Sequence, residues 1–307
     1  FRLILITLRE NPKIIQTWLY HSDFIGSILS IILFKRNVFW TIVNFNLERK
    51  YNKFFTNIIL KINRFLSFYI PKKIICCSEA SIRNHINFGF SEKKFVFIPL
   101  GFDINLYKPI KNIDIKKTID SNFLIKKTDF IIGCVARWHE QKNHSFLLNS
   151  FKTINKSSKN IKLILVGTEM DISNKKLMNL IRINNVLDYT LLLGPRDNIH
   201  ELMNIFDLNV LVSYSEAFPN VLGEAMSSGT PCLSSNVGDA KDILGDYGKI
   251  IDIDSNENFI TAIDYFIKMK ENNNEWNKLK DNCRSHIIKN YGIEGIVMKY
   301  HKVWQLY

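Results

Sequence analysis

The chain has 307 residues, 46% of them hydrophobic and 23% charged, with a formal net charge of +12. That length and balance give two ordinary globular domains as the starting expectation, and they exclude a disordered, collagen-like or disulfide-scaffold protein. The charge is uneven, because residues 1–120 hold 19 Lys/Arg against 8 Asp/Glu while residues 121–307 hold 22 against 21.

Taken in order, Phe1–Arg9 has helical apolar spacing and stops at Asn11-Pro12. It is too short for a secretory signal or a membrane span. A chain that opens on Phe1 in an apolar segment reads as a piece lacking its own start. Lys13–Tyr20 is a predicted strand; His21-Ser22-Asp23 follows, then a helix over Phe24–Phe34 whose length is that of a core helix. Asn37–Val43 is a second strand and Asn44–Arg49 a loop. Lys50–Tyr69 is a long helix with Phe, Ile and Leu on one side and Lys and Arg on the other; its apolar face is expected to pack on the sheet. Lys73–Ser78 and Lys94–Asp103 are further strands, with Ser78-Glu79 opening a helix between them.

Tyr107–Phe123 lacks clear periodicity and reads as an interdomain linker. Strands resume at Phe130–Val135, Lys162–Val166, Thr190–Leu193, Leu208–Val212, Pro231–Ser234 and Lys249–Ile253. A helix runs to about Ile154, and Asn256–Asn273, Trp276–Asn290 and Gly292–Tyr307 are closing helices. Strands alternating with helices mean parallel sheets. Cys76, Cys77, Cys134, Cys232 and Cys283 show no Cys-x-x-Cys spacing, and four of them sit in or beside apolar strands and read as reduced core residues of a cytosolic protein. No Gly-x-Gly-x-x-Gly follows a strand and no Gly-x4-Gly-Lys-Ser/Thr occurs, so dehydrogenase and P-loop readings lack their phosphate loops.

The stretch with most chemistry is Asp207–Pro231. The apolar run Leu208–Val212 is a buried strand, Ser213–Phe218 a loop, and Pro219 the expected first helical position of a helix that Gly229 stops. A helix N-terminus at the carboxyl end of a parallel strand is an anion site, in the crevice where open α/β sheets bind ligands. Glu216 and Glu224 bracket it. Carboxylates accept hydrogen bonds from hydroxyls, so the set suits a ligand with phosphate in the middle and hydroxyls on both sides. An ordinary βα unit with surface glutamates explains the helix but not the Phe218-Pro219-Asn220-Val221 loop between two carboxylates. Arg137 and Lys142, just past the strand Phe130–Val135, are two cations able to stabilise a departing diphosphate.

The Glu216-x7-Glu224 pair, with Phe218-Pro-Asn-Val between and Glu224-Ala-Met-x-x-Gly-Thr-Pro231 after, resembles the signature of the retaining glycosyltransferases of family 4. Ala217 stands where that family usually has Gly. Arg137-x4-Lys142 with Asn143-His144 resembles the family's pyrophosphate-binding pair. Gln16–Asp23 resembles the segment carrying its active-site histidine, here His21, and Ile75–Glu79 and Pro99–Asp103 match later landmarks. The start of that first lobe, with its Gly-rich loop, is absent from the chain.

The resemblance implies an α/β GT-B fold, two Rossmann-like parallel-sheet lobes facing a cleft with the first incomplete. It divides the chain into a lobe over 1–108, a linker over 109–128, a nucleotide-sugar lobe over 129–290, and a helix over 291–307 that crosses back to the first lobe. By resemblance Glu224 holds ribose hydroxyls, Glu216 the transferred sugar, and the N–H groups near Phe218, Pro219, Asn220 and Val221 the sugar or distal phosphate. Gly194 and Arg196 lie where the family binds the base, and His21 positions the sugar. His139, His144 and His200 read as surface residues. Asp252-Ile-Asp254 reads as a strand end rather than a metal site; no metal or other cofactor is expected.

The implied activity is transfer of a sugar from a nucleotide-diphosphate sugar to a hydroxyl of a glycan or lipid-linked acceptor, in bacterial capsule, O-antigen or lipopolysaccharide assembly. A GT-B epimerase, a sugar phosphorylase or a non-catalytic nucleotide-sugar binder are the alternatives. The basic first half points to an anionic surface. With the Lys50–Tyr69 helix it gives peripheral contact with an anionic membrane, at the inner face of the cell membrane, rather than contact with nucleic acid.

Overall fold

A computed structural model describes residues 2–43, 47, 54–119, 123–157 and 160–307. Apart from Leu47, the expected loop Asn44–Arg49 lies outside the described residues, as do residues 50–53 of the expected long helix and 120–122 of the expected linker. The chain divides into two compact units. One comprises Phe1–Gly101, Glu216–Phe218 and Glu294–Tyr307; the other comprises Phe102–Ser215 and Pro219–Ile293.

The first unit contains α1 (Arg2–Glu10), β1 (Ile15–Trp18), α2 (Tyr20–Ile32), β2 (Val38–Ile42), α3 (Phe54–Leu66), β3 (Lys73–Cys76), α4 (Glu79–Phe88) and β4 (Phe95–Phe97). Its four strands pair in parallel in the order β1-β2-β3-β4. All five residues of β2 are buried, as suits a β-branched and aromatic run covered on both faces. Val38, Trp40, Ile42, Ile74 and Leu60 form its core.

Two expectations are corrected here. Helix α2 starts at Tyr20 rather than Phe24, and takes His21 and Asp23 into its first turn. The reason is polar: Asp23 is buried, its N–H donates to Leu19 O at 2.9 Å, and Thr17 Oγ1 donates to its carboxyl at 2.5 Å. Leu19 forms the elbow at φ 73° and ψ 154°, a region that glycine favours, so the packing around it must hold it there. Helix α3 does not lay its aromatic side on the sheet. Leu60, Asn63 and Ser67 face inward, while Phe54, Phe55 and Phe65 are 74%, 73% and 64% exposed. Asn63 Nδ2 donates to Tyr20 O at 2.8 Å, and Ser67 Oγ accepts from Ser91 N at 3.0 Å. These bonds decide which side of the helix turns in.

The second unit contains α5 (Ile115–Ile119), β5 (Phe130–Val135), α6 (His144–Ser157), β6 (Ile161–Val166), α7 (Lys175–Ile183), β7 (Thr190–Leu192), α8 (Ile199–Ile205), β8 (Leu208–Leu211), α9 (Asn220–Ser227), β9 (Cys232–Ser235), α10 (Ala240–Leu244), β10 (Lys249–Ile251), α11 (Asn256–Glu271) and α12 (Asn273–Tyr291). Its sheet is parallel, ordered β10-β9-β8-β5-β6-β7. Strand residues Ile132, Leu163 and Leu165 pack under Leu147 and Phe151 of α6 and Phe259 of α11. Each such side chain contributes roughly 1.5–3 kcal/mol by leaving water. Gly133 lies under the Phe206 ring; a Cβ there would stand 2.1 Å from it.

The stretch read as a linker carries helix α5, whose last carbonyl accepts from Arg196. The last helix, α13 (Ile293–Gln305), packs Ile296 on Ile75 and Ile98, and Trp304 Nε1 donates to Gln16 Oε1 at 2.7 Å. All five cysteines are buried and none is in a disulfide, in keeping with their spacing. Among the described residues no helix is long and apolar enough to cross a membrane.

Candidate functional site

In the second unit the strand order reverses between β5 and its neighbour β8. From β5 the chain winds outward through β6 and β7, and from β8 outward through β9 and β10. Loops leaving the carboxyl ends of such a strand pair part to opposite sides, and the crevice they leave is where open α/β sheets take ligands. The two loops at that point are the ones carrying Arg137–Lys142 and Ser213–Pro219.

They are tied to each other. Residues 140–142 form a 3-10 turn, begun by His139, whose Nδ1 accepts from Gln141 N at 3.2 Å. Tyr214 N donates to Gln141 O at 2.8 Å, and the Gln141 side chain donates to Ser215 O. Lys142 is thus held, half-buried, beside the chain that leads into α9, while Arg137 is exposed at the start of the same loop. The loops after β5, β6 and β7 are also stitched: Ala136 N donates to Val166 O, Gly167 N to Gly194 O, and Gly194 N to Met170 O, at 2.8–2.9 Å. Gly167 has φ +142°, and a Cβ on it would sit 2.3 Å from Ala136 O. Only glycine permits that approach.

Helix α9 begins after Pro219, which is the residue before the helix rather than its first turn as expected; Asn220 is the first helical residue. Pro219 has φ −76° and ψ 91°, an extended setting that suits the residue flanking a helix. Pro219 itself makes no side-chain cap bond, and the first N–H groups of a helix carry its partial positive charge. Pro219 is buried, Asn220 exposed, and Val221 and Glu224 half-buried. Ala217 is not among the residues of positive φ, so replacing the usual glycine by alanine strains nothing there. Gly223 packs on Phe102, where a Cβ would stand 2.1 Å from the ring. At the other end Arg284 Nη1 donates to Ser227 O at 2.5 Å and to Tyr107 O at 3.0 Å, and Nη2 donates to Ile104 O at 3.2 Å.

Burial raises the Glu224 carboxyl above the ordinary range. Burial, and next the nearby Glu224 charge, push the Tyr107 phenol up to about 12. A half-buried carboxylate beside a phenol is a hydrogen-bond acceptor in a dry setting. His144 corrects another expectation: it is buried, stacked on Trp138, with neither ring nitrogen hydrogen-bonded. Burial, then the Lys142 cation, hold its imidazole down to about 4. It is neutral at pH 7 and leaves the positive charge of this loop to Arg137 and Lys142. His139 is exposed and His200 half-buried.

Arg196 is half-buried in the loop after β7. Its Nε donates to Leu193 O at 3.2 Å and its Nη2 to Ile119 O at 2.9 Å, which anchors the loop after β7 to helix α5. Gly194, at φ +64°, is part of the stitched loops. Glu216 and Phe218 group with the first unit, half-buried and buried respectively, and His21 is exposed in the first turn of α2 there. Asp252 Oδ1 accepts from Asp254 N at 3.0 Å in a turn after β10, as read from the sequence. Among the described residues no group of three or more His, Cys, Asp or Glu could hold a metal ion.

Sequence reasoning missed Gly167, Tyr107 and Arg284. Gly167 had a signal, since it directly follows the apolar run Ile161–Val166. Tyr107 and Arg284 had none, because their roles depend on contacts far along the chain.

Comparison with known proteins adds to this geometry. A family model described as glycosyl transferases group 1 matches residues 115–282. The putative glycosyltransferase EpsF of Bacillus subtilis is 36% identical over 143 residues, covering 45% of this chain and 35% of that protein. A UDP-Gal:alpha-D-GlcNAc-diphosphoundecaprenol alpha-1,3-galactosyltransferase of Escherichia coli is 26% identical over 252 residues, covering 80% of this chain and 59% of its own length. The chain therefore spans less than two thirds of these relatives. Among solved structures, Anabaena HepE in complex with UDP and glucose matches 100% of this chain and 82% of its own with a TM-score of 0.83 at 19% identity. That likeness gives the fold as GT-B, with two parallel-sheet units.

Proposed function

Because the chain belongs to the glycosyl transferases group 1 family, we propose that it transfers a sugar from a nucleotide-diphosphate sugar to a hydroxyl acceptor with retention of the anomeric configuration. The observation that carries this reading is the tie, at the β5/β8 reversal, between the Arg137–Lys142 loop and the chain that leads into α9. Cations and helix amides converge on an anion, and Glu224 adds an acceptor for hydroxyls within two turns of that helix start.

In this reading Arg137 and Lys142 bind the diphosphate, and the amides of Asn220 and Val221 the distal phosphate or sugar. Glu224 accepts from the ribose hydroxyls; Gly194, in the loop after β7, leaves room for the base. Glu216 accepts from hydroxyls of the transferred sugar, and His21 helps to position it. As the bond between the anomeric carbon and phosphate oxygen breaks, the diphosphate takes the electron pair. The acceptor oxygen bonds to that carbon and gives up its proton to the departing diphosphate oxygen. Negative charge grows on the diphosphate during the step, and the two cations stabilise it more in the transition state than in the ground state.

A lipid-linked glycan is the proposed acceptor, supported by the E. coli relative whose name gives a diphosphoundecaprenol-linked sugar; bacterial surface-polysaccharide assembly is the proposed setting. A thermal-shift screen of UDP-, GDP- and ADP-sugars on the full-length chain tests the donor. One nucleotide series is expected to raise the melting temperature in a dose-dependent way, by the mass action of ligand on the native state. No shift with any of the three would remove the reading.

A further inference from the structure

The inverted packing of α3 assigns a surface. Its outward side carries Phe54, Phe55, Ile58, Ile62 and Phe65 at three- and four-residue spacing, every one exposed, and Phe68 and Tyr69 extend it past the helix end. The helix has already made its core contacts with Leu60, and with Ile59 and Leu66 packed against the same cluster. Helix α2 packs beside α3 and continues the apolar surface with exposed Ile28, Ile31 and Ile32, ending at Phe34, which is 89% exposed. Single exposed apolar residues are ordinary; a contiguous set is the mark of an interface.

The charges around it identify the partner. Lys61, Arg64 and Arg36 are exposed at its margins. Neither helix exposes a carboxylate: α3 contains none, and the Asp23 of α2 is buried. At the far end Lys94 Nζ donates to Pro71 O at 2.9 Å. Burial, then the neighbouring Lys72 and Lys73, hold that amine below the ordinary lysine range, so three ammonium groups stand close together. A second copy of the chain meeting this face about a twofold axis would set Lys61 and Arg64 against their own like charges. An anionic lipid surface satisfies both features, taking the aromatic side chains at the acyl boundary and the cations at the headgroups.

We propose that the outer face of α3, with the adjoining ridge of α2, docks this protein peripherally on anionic phospholipid. The surface lies wholly within the first unit, and the proposal stands whether or not the donor site is as described. The test is co-sedimentation of the full-length chain with vesicles of phosphatidylcholine alone and of phosphatidylcholine mixed with phosphatidylglycerol. The wild type is expected to sediment with the mixed vesicles only. The double variant Phe55→Ser/Phe65→Ser is expected to bind them about tenfold more weakly, and Lys61→Glu/Arg64→Glu to lose the preference for anionic lipid. Every substituted side chain is exposed, and circular dichroism checks that both variants fold. Equal wild-type binding to neutral and anionic vesicles would overturn the proposal, as would two folded variants that sediment like wild type. So would a dimer in solution that Phe55→Ser/Phe65→Ser converts to monomer while nothing sediments.

Discussion

Helices α9 and α3 are each the next helix in the chain after a parallel strand, yet they turn opposite chemistry toward the protein. In α9 the apolar residues Leu222, Ala225 and Met226 are buried, while Asn220 is exposed and Glu224 half-buried. In α3 the aromatic residues point out, and Asn63 and Ser67 point in. Hydrophobic pattern alone would have packed both the same way. The difference lies in what each helix meets: a close glycine contact in α9, where Gly223 lies against Phe102, and side-chain hydrogen bonds to Tyr20 and Ser91 in α3. An unpaired buried main-chain group costs about 1–3 kcal/mol, so these bonds favour the packing that turns Asn63 and Ser67 inward.

The sharpest way to break this contrast is to remove the close contact. Gly223→Ala places a Cβ 2.1 Å from the Phe102 ring. It is expected to destabilise the fold by about 1–3 kcal/mol, as overpacking does, seen as a lower urea midpoint. Gly295→Ala in α13 is the reference, because a Cβ there meets nothing within 4 Å. There the better helix propensity of alanine should raise stability by up to about 1 kcal/mol. Equal responses of the two variants would mean that α9 is not seated as described.

Asp23 sharpens the first-unit side of the comparison. Burial pushes its carboxyl up to about 8, against the lowering effect of bonds from Thr17 and Thr41. A raised acid binds its proton more tightly folded than unfolded. Its stabilising effect is therefore full below the unfolded carboxyl range, and is lost as pH rises toward 8, at about 1.4 kcal/mol per pH unit. Buried His85 and His144, both held down to about 4, act oppositely: the stability they remove in acid returns as pH climbs to the ordinary histidine range. Above about pH 6.5 the Asp23 effect stands alone. Wild type is expected to lose stability from there to pH 8, and Asp23→Asn to show a flat profile by chemical denaturation.

Glu224→Gln gives the smallest expected effect. Burial disfavours the ionised carboxylate, so the neutral amide should stabilise the free protein at neutral pH by a few tenths to about 1 kcal/mol. The same change should weaken donor binding, because the amide is a poorer acceptor for hydroxyls. A variant less stable than wild type, binding donor equally well, would contradict both statements.

Much of this was legible from local pattern. Apolar runs such as Phe130–Val135 and Leu208–Val212 located most strands to within a residue or two, though the strand expected over Lys94–Asp103 ends at Phe97; the Glu216-x7-Glu224 stretch located α9. What escaped depends on contacts distant in sequence. Asp23 looks like a loop residue until Thr17 and the main chain of Leu19 are seen to hold it inside the first turn of α2. Arg196 shows no tie to helix α5 in the sequence, yet Ile119 O, 77 residues away, accepts from it. His144 sits among polar neighbours in sequence but stacks under Trp138. Helix α5, five residues long, is too short to show a period and takes its end bond from Arg196.

In the proposed reading Lys142, beside the loop into α9, carries part of the grip on a nucleotide diphosphate. Calorimetric titration of the full-length wild type and of Lys142→Ala with the nucleotide sugar found by thermal shift tests it most directly. Loss of one charge-assisted contact predicts binding weaker by about 1.5–3 kcal/mol, roughly ten- to a hundredfold. Identical dissociation constants for the two proteins would contradict it.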